Sequence, residues 1–216
     1  MLKNFDKKTL LLYAVTDRTW LGGRELSQEV EAALKGGATL VQLREKELSF
    51  DEFLSEALEI KALCGEYGVP LIINDSLELA LRCDADGVHI GQSDIGALKA
   101  REALGQDKIL GVSAQTVEQA LLAEKSGADY LGVGAVFGTS TKKDADFVSY
   151  ETLKAICEAV SIPVVAIGGI CEHNIDELSG SGIAGVALVS ALFAERDVKA
   201  ATIKMRGLAE NTVEVK

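Results

Sequence analysis

SGADYLGVG, residues 126–134, decides the fold, because its outline recurs along the chain. The other copies read GGATLVQLR at 36–44, CDADGVHIG at 83–91 and SGIAGVALVS at 181–190. In each, a glycine and a small or acidic residue introduce a short β-branched run, the signature of a repeated supersecondary unit. Four more apolar runs lie between the copies: LLYAVT from Leu11, PLIIND from Pro70, ILGVS from Ile109 and PVVAIGG from Pro163. Together they make eight strand candidates. Each is followed by apolar residues at helical spacing, as in Phe53, Leu54, Ala57, Leu58, Ile60 and Ala62. Asp51 and Thr116 stand where helix N-caps are expected, and Gly65, Gly127 and Gly180 or Gly182 where helices stop.

Continuous apolar runs suit strands buried on both faces, which means a parallel sheet. Eight βα units in one domain close most economically into a (β/α)8 TIM barrel, an α/β fold, with an open doubly wound sheet as the alternative. One domain is expected across 1–216, with a short polar C-terminal tail from about residue 207.

Composition narrows the function. The formal charge of -11 repels nucleic acid and anionic membrane surfaces, so an anionic ligand must be caught by a local cationic cluster. Neither apolar candidate, Leu10 to Val15 or Gly185 to Ala194, reads as a signal peptide or a membrane span. The four cysteines are widely spaced, with no CxxC pair, which suits reduced thiols in a cytoplasmic protein. Self-association into a homo-oligomer is compatible with all of this.

Active sites on this fold lie at the C-terminal ends of the strands. Polar residues just past each run are therefore candidates: Thr16 and Asp17, Gln42 to Lys46, Asn74 and Asp75, and His89 to Asp94, then Ser113 and Gln115, Thr139 to Lys143, Gly168 and Gly169, and Ser190. Asp75 and Asp94 end neighbouring strands, and two carboxylates in one cleft suit Mg²⁺ completed by phosphate oxygens; the same aspartates could instead cap the helices that follow. Gln42, Arg44 and Lys46 share one side of their strand and could hold a diphosphate, or form a surface patch neutralised by Glu45 and Glu47. The run Gly138 to Ala145 has the composition of a phosphate-gripping loop or of a polar connector. Gly168-Gly169 and Val189-Ser190 occupy the place where many such barrels bind a phosphate monoester, although a tight turn also needs glycine. His89 is either a hydrogen-bonded core residue or an acid or base, and His173 reads as an ordinary helix residue. Two phosphorylated small molecules are the implied partners.

Nearly the whole chain resembles the thiamine phosphate synthase family. The motifs are LLYAVTD at 11–17, VQLREK at 41–46, IIND at 72–75, DADGVHIGQSD at 84–94, GVS at 111–113, GADYLGVGAVFGTSTKKDA at 127–145, VVAIGGI at 164–170 and VALVSA at 186–191. The resemblance implies a Mg²⁺-dependent transferase joining hydroxymethylpyrimidine diphosphate to a thiazole phosphate with loss of pyrophosphate. It places Gln42, Leu43, Arg44, Glu45, Lys46, Asn74, Ser113 and Lys142 on the diphosphate substrate, with His89 nearby, and Asp75 and Asp94 on the metal. Thr139, Ser140, Thr141, Gly169, Val189 and Ser190 would take the thiazole phosphate. Arg44, Lys46, Lys142 and Ser113 would carry the catalysis. The chain departs from the family pattern at Gln115, commonly histidine, and at Gly138, commonly proline. A thiazole tautomerase of the same fold and a catalytically silent module binding thiamine phosphates are the alternatives; the paired aspartates, Arg44, Lys46 and the TSTK run argue against both.

Overall fold

The computed structural model describes residues 6–92, 94–138 and 147–213. Eight strands, β1 (Leu12–Val15), β2 (Leu40–Leu43), β3 (Leu71–Asn74), β4 (Gly87–Ile90), β5 (Ile109–Ala114), β6 (Tyr130–Val133), β7 (Val164–Ile167) and β8 (Gly185–Leu188), form a closed parallel barrel in chain order. The circle shuts where β1 pairs with β8. Around it run α1 (Leu26–Lys35), α2 (Phe50–Glu66), α3 (Leu77–Arg82), α4 (Ala97–Leu104), α5 (Val117–Lys125) and α6 (Tyr150–Ala159), with α7 (Ser190–Phe193) and α8 (Val198–Thr212) after β8.

The apolar runs are continuous because each strand has two buried faces. Tyr13, Leu40, Ile72, Ile109, Tyr130, Val165 and Ala187 fill the barrel interior. Leu12, Val41, Leu71, Val88, Leu110, Leu131, Val164 and Val186 face the helices instead.

The repeat has a physical meaning. Gly37, Asp84 and Gly127 take positive φ just after α1, α3 and α5, and the alanine that follows each, Ala38, Ala85 or Ala128, donates its N–H back to Ala33, Ala80 or Ala123. That is the left-handed helix stop closed by a six-to-one bond. The next residue then ties the strands together at their N-terminal ends. Thr39 Oγ1 accepts the N–H of Leu12 at 2.9 Å, Asp86 that of Leu71 at 2.8 Å and Asp129 that of Leu110 at 2.7 Å. Lys61 pairs with Asp86 and Arg101 with Asp129; Arg101, itself buried, also donates to the carbonyls of Gly127, Gly105 and Lys108.

Five expectations are corrected. Between β7 and β8 there is only a 3-10 turn, Ile175–Leu178, flanked by Gly168 and Gly169 on one side and Gly180 and Gly182 on the other, all at positive φ. His173 therefore sits in a turn before it, not on a helix. The N-cap of α2 is Ser49, in a reciprocal capping box with Glu52, so Asp51 lies inside the helix, as does Gly65. The tail expected from about residue 207 is helical as far as Thr212, because Ala209 and Thr212 are buried. Thr116 does cap α5. Among the described residues no helix is long and apolar enough to cross a membrane.

Replacing Asp129 with alanine leaves the Leu110 N–H and one arm of Arg101 without their acceptor. The unfolding free energy is expected to fall by about 2 kcal/mol, read as a lower urea midpoint with an unchanged denaturant slope. Turnover should be unaffected, since Asp129 lies at the end of the barrel away from the strand C-termini.

Candidate active site

The C-terminal ends of the strands open onto a cavity of about 470 Å³. Gln42, Arg44, Lys46, Asn74, Asp75, His89, Asp94, Ser113, Gly169, Val189 and Ser190 all line it. Leu43 and Glu45 do not: side chains alternate along a strand, so Leu43 packs against the helices and Glu45 turns outward. Thr139, Ser140, Thr141, Lys142 and Lys143 lie outside the described residues.

Arg44 is held in place before any ligand arrives. Its Nη1 donates to Asp17 Oδ2 at 2.6 Å, and its backbone N–H to Thr16 Oγ1 at 3.0 Å. The Arg44 side chain is 13% exposed and that of Asp17 10%, so the pair is shielded from solvent while Arg44 still lines the cavity. Glu45, which the alternative of a surface patch would set against Arg44 and Lys46, binds Arg18 instead, and Arg18 also bridges to Glu56. Burial holds the Glu45 carboxyl above the usual carboxylate range, with Arg18 pulling it down and Glu56 pushing it up.

Neither metal candidate caps a helix. Ser76 caps α3, and Gly96 occupies the N-cap of α4. Asp75 instead adopts φ +62, a left-handed conformation that aspartate tolerates better than most residues. Its Oδ2 accepts from Asn74 Nδ2 at 2.7 Å, while Asp94 Oδ2 accepts the Gly91 N–H at 2.7 Å. Two carboxylates on one cavity wall form an oxygen-only donor set that fits Mg²⁺, which keeps waters and takes the rest of its shell from phosphate. No group of three or more His, Cys, Asp or Glu poised for a metal occurs among the described residues.

The opposite wall differs. Val165, Ile167, Ile170, Ala187 and Val189 give it an apolar surface, bounded by Gly168, Gly169 and Ser190. Gly168 and Gly169 have φ of 100° and 67°, and a Cβ on Gly168 would lie 2.6 Å from Ala135. Both glycines are thus demanded by the backbone, and a Cβ on Gly169 would meet Phe137 and the Gly138 carbonyl.

The floor of the cavity is polar. Gln42 Nε2 donates to Tyr13 Oη at 2.6 Å, and Tyr13 Oη lies 2.8 Å from Tyr130 Oη. Tyr130 Oη is 3.0 Å from His89 Nδ1, and His89 Nε2 is 2.9 Å from Ser113 Oγ. His89 is thus hydrogen-bonded through both ring nitrogens. Sequence reasoning missed Tyr13 and, apart from Val189, the apolar wall. Tyr13 sat inside an apolar run, although strand parity with Val15 marks it as inward. Gln115, at a departure from the family pattern, lines the cavity and reaches the Gly134 carbonyl at 3.5 Å.

The sequence profile of the thiamine monophosphate synthase family matches residues 12–192. The chain is 52% identical to a thiamine-phosphate synthase of Clostridium tetani, covering 95% of this chain and 97% of the relative. A thiamine-phosphate synthase of Clostridium acetobutylicum is also 52% identical, over 92% of each chain. Among solved structures, thiamine phosphate pyrophosphorylase from Pyrococcus furiosus superposes with a TM-score of 0.88 at 39% identity, covering 95% of this chain and 98% of that one. With motifs, barrel and cavity all in accord with those relatives, the chain belongs to the thiamine monophosphate synthase family.

Proposed function

We propose that the cavity joins hydroxymethylpyrimidine diphosphate to a thiazole phosphate, forming thiamine phosphate and pyrophosphate. The observation that carries this reading is the division of one cavity into a charged arm from β2, β3 and β4 and an apolar, glycine-bounded arm from β7 and β8. The charged arm suits the diphosphate. Arg44 and Lys46 would neutralise it there, with Lys142 assigned to the same task. Bound by Asp75 and Asp94, Mg²⁺ would supply a Lewis acid for the diphosphate oxygens.

The bond from the pyrimidine methylene to the diphosphate breaks first, and its electron pair leaves on the diphosphate. The resonance-stabilised cation left behind is captured by the thiazole nitrogen, so no side chain need act as nucleophile. Val165 and Ile167 exclude water, which would otherwise compete for the cation. Gly169, Val189 and Ser190, with Thr139, Ser140 and Thr141, are assigned to the thiazole phosphate, which aligns the two rings. Ser113 is assigned to the pyrimidine substrate, with His89 beneath it. Leu43 and Glu45, off the cavity, are left with the role of shaping β2 and its exit. A thiazole tautomerase would leave the charged arm idle, and no observation favours it. The four free cysteines suit a reducing cytoplasm.

Purified protein given both substrates and Mg²⁺ is expected to release pyrophosphate and form thiamine phosphate, and to stop when either substrate is omitted. Chelation of the metal should likewise abolish release and re-addition restore it. A rate indifferent to Mg²⁺ would remove the metal from the mechanism, and no release under any condition would overturn the transferase reading. Asp75→Asn and Lys142→Ala should each lower kcat by at least about a hundredfold with unchanged circular dichroism; wild-type rates in both would refute these site assignments.

A further inference from the structure

The polar line along the cavity floor draws one side chain each from β2, β1, β6, β4 and β5, in the order Gln42, Tyr13, Tyr130, His89 and Ser113. The barrel gives up volume to build it. A Cβ on Gly111 would land on the Tyr130 hydroxyl, and one on Gly132 would lie 2.9 Å from His89 Cε1. Tyr13 and Tyr130 are 1% and 0% exposed, and burial raises both phenols well above their ordinary range, so both keep their protons.

Each phenol has one proton to give. Tyr13 accepts from the Gln42 amide, so its own proton goes to the other hydroxyl it touches, Tyr130. Tyr130 then gives its proton to His89 Nδ1, at 3.0 Å. An imidazole that accepts at Nδ1 carries its proton on Nε2, and Nε2 donates to Ser113 Oγ. The serine oxygen is thereby used as an acceptor and its hydroxyl proton is released to the cavity that it lines.

We propose that Tyr13 and Tyr130 are positioning residues: the one-way line of hydrogen bonds from Gln42 fixes the His89 tautomer and turns Ser113 into a hydrogen-bond donor aimed at the substrate. The consequence for turnover rests on the transferase reading above, whereas the tautomer does not. The opposite arrangement, with Nδ1 protonated, would make Ser113 spend its proton on His89 and present only lone pairs to the ligand.

The chain has two histidines, and His173, with its side chain 84% exposed, is identified by His173→Gln. Long-range proton–nitrogen spectra of the ligand-free protein labelled with ¹⁵N-histidine read the His89 tautomer directly. The expected result is a protonated Nε2 and an unprotonated Nδ1, with a mixture of tautomers in Tyr130→Phe. In turnover, Tyr130→Phe should lower kcat about tenfold, the equivalent of one lost hydrogen bond, with little change in KM. On a Ser113→Ala background the same substitution should cost almost nothing, because its effect passes through the serine. Protonated Nδ1 in the unsubstituted protein would overturn the proposal, as would fully additive losses in the double variant. The tautomer is read without substrate, so its failure is distinct from failure of the transferase reading.

Discussion

A barrel whose strands are mostly four residues long presents only two side chains per strand to its interior. The whole molecule depends on how those few positions are shared between filling and function. Leu40, Ile72 and Ile109 fill the lower part. Higher up, Gln42, Asn74, His89 and Ser113 line the cavity, so its polar floor and the top of the core are the same layer. Tyr13 and Tyr130 reconcile the two demands. Their rings meet edge to face at 6.0 Å and pack as apolar groups, while their hydroxyls join the polar line above. Gly111 and Gly132 supply the room, at the expense of two side chains the core would otherwise have used.

Stability and function occupy opposite ends of this arrangement. At the N-terminal ends, Thr39, Asp86 and Asp129 each hold an N–H at the start of the preceding strand, the first in β1 and β3 and the second in β5, and Arg101 gathers three carbonyls. At the C-terminal ends, a chain of net charge -11 must attract a polyanion. Arg44 meets that demand because Asp17 and Thr16 fix it in advance, so little side-chain entropy is lost when a ligand binds. Asp75 in the left-handed region is a further cost borne at the mouth of the barrel.

The barrel was legible because burial on both strand faces writes itself as apolar runs, and the repeat was legible because three of its four copies do the same job of stopping a helix and tying a strand. The absence of an α-helix between β7 and β8 was not, since the apolar residues after Gly169 have a spacing that a 3-10 turn can also bury. Asp51 was taken for a cap where Ser49 and Glu52 form one, a choice between neighbours that only side-chain geometry settles. In the site, distance past an apolar run located Arg44, Lys46, Asn74, Asp75 and Asp94 on the cavity. Counting by twos from Gln42 would have set Leu43 and Glu45 aside. Tyr13, and the pairing of the candidate Asp17 with Arg44, were hard to recognise because both roles depend on contacts across strands.

The central claim is that one cavity holds both phosphorylated groups, each on its own arm. A crystal structure of the protein with thiamine phosphate, pyrophosphate and Mg²⁺ tests it most directly. The account predicts pyrophosphate between Arg44, Lys46, Asp75 and Asp94, and the thiamine phosphate group against Gly169 and Ser190. Either anion bound outside this cavity, or the two exchanged between its arms, would contradict it.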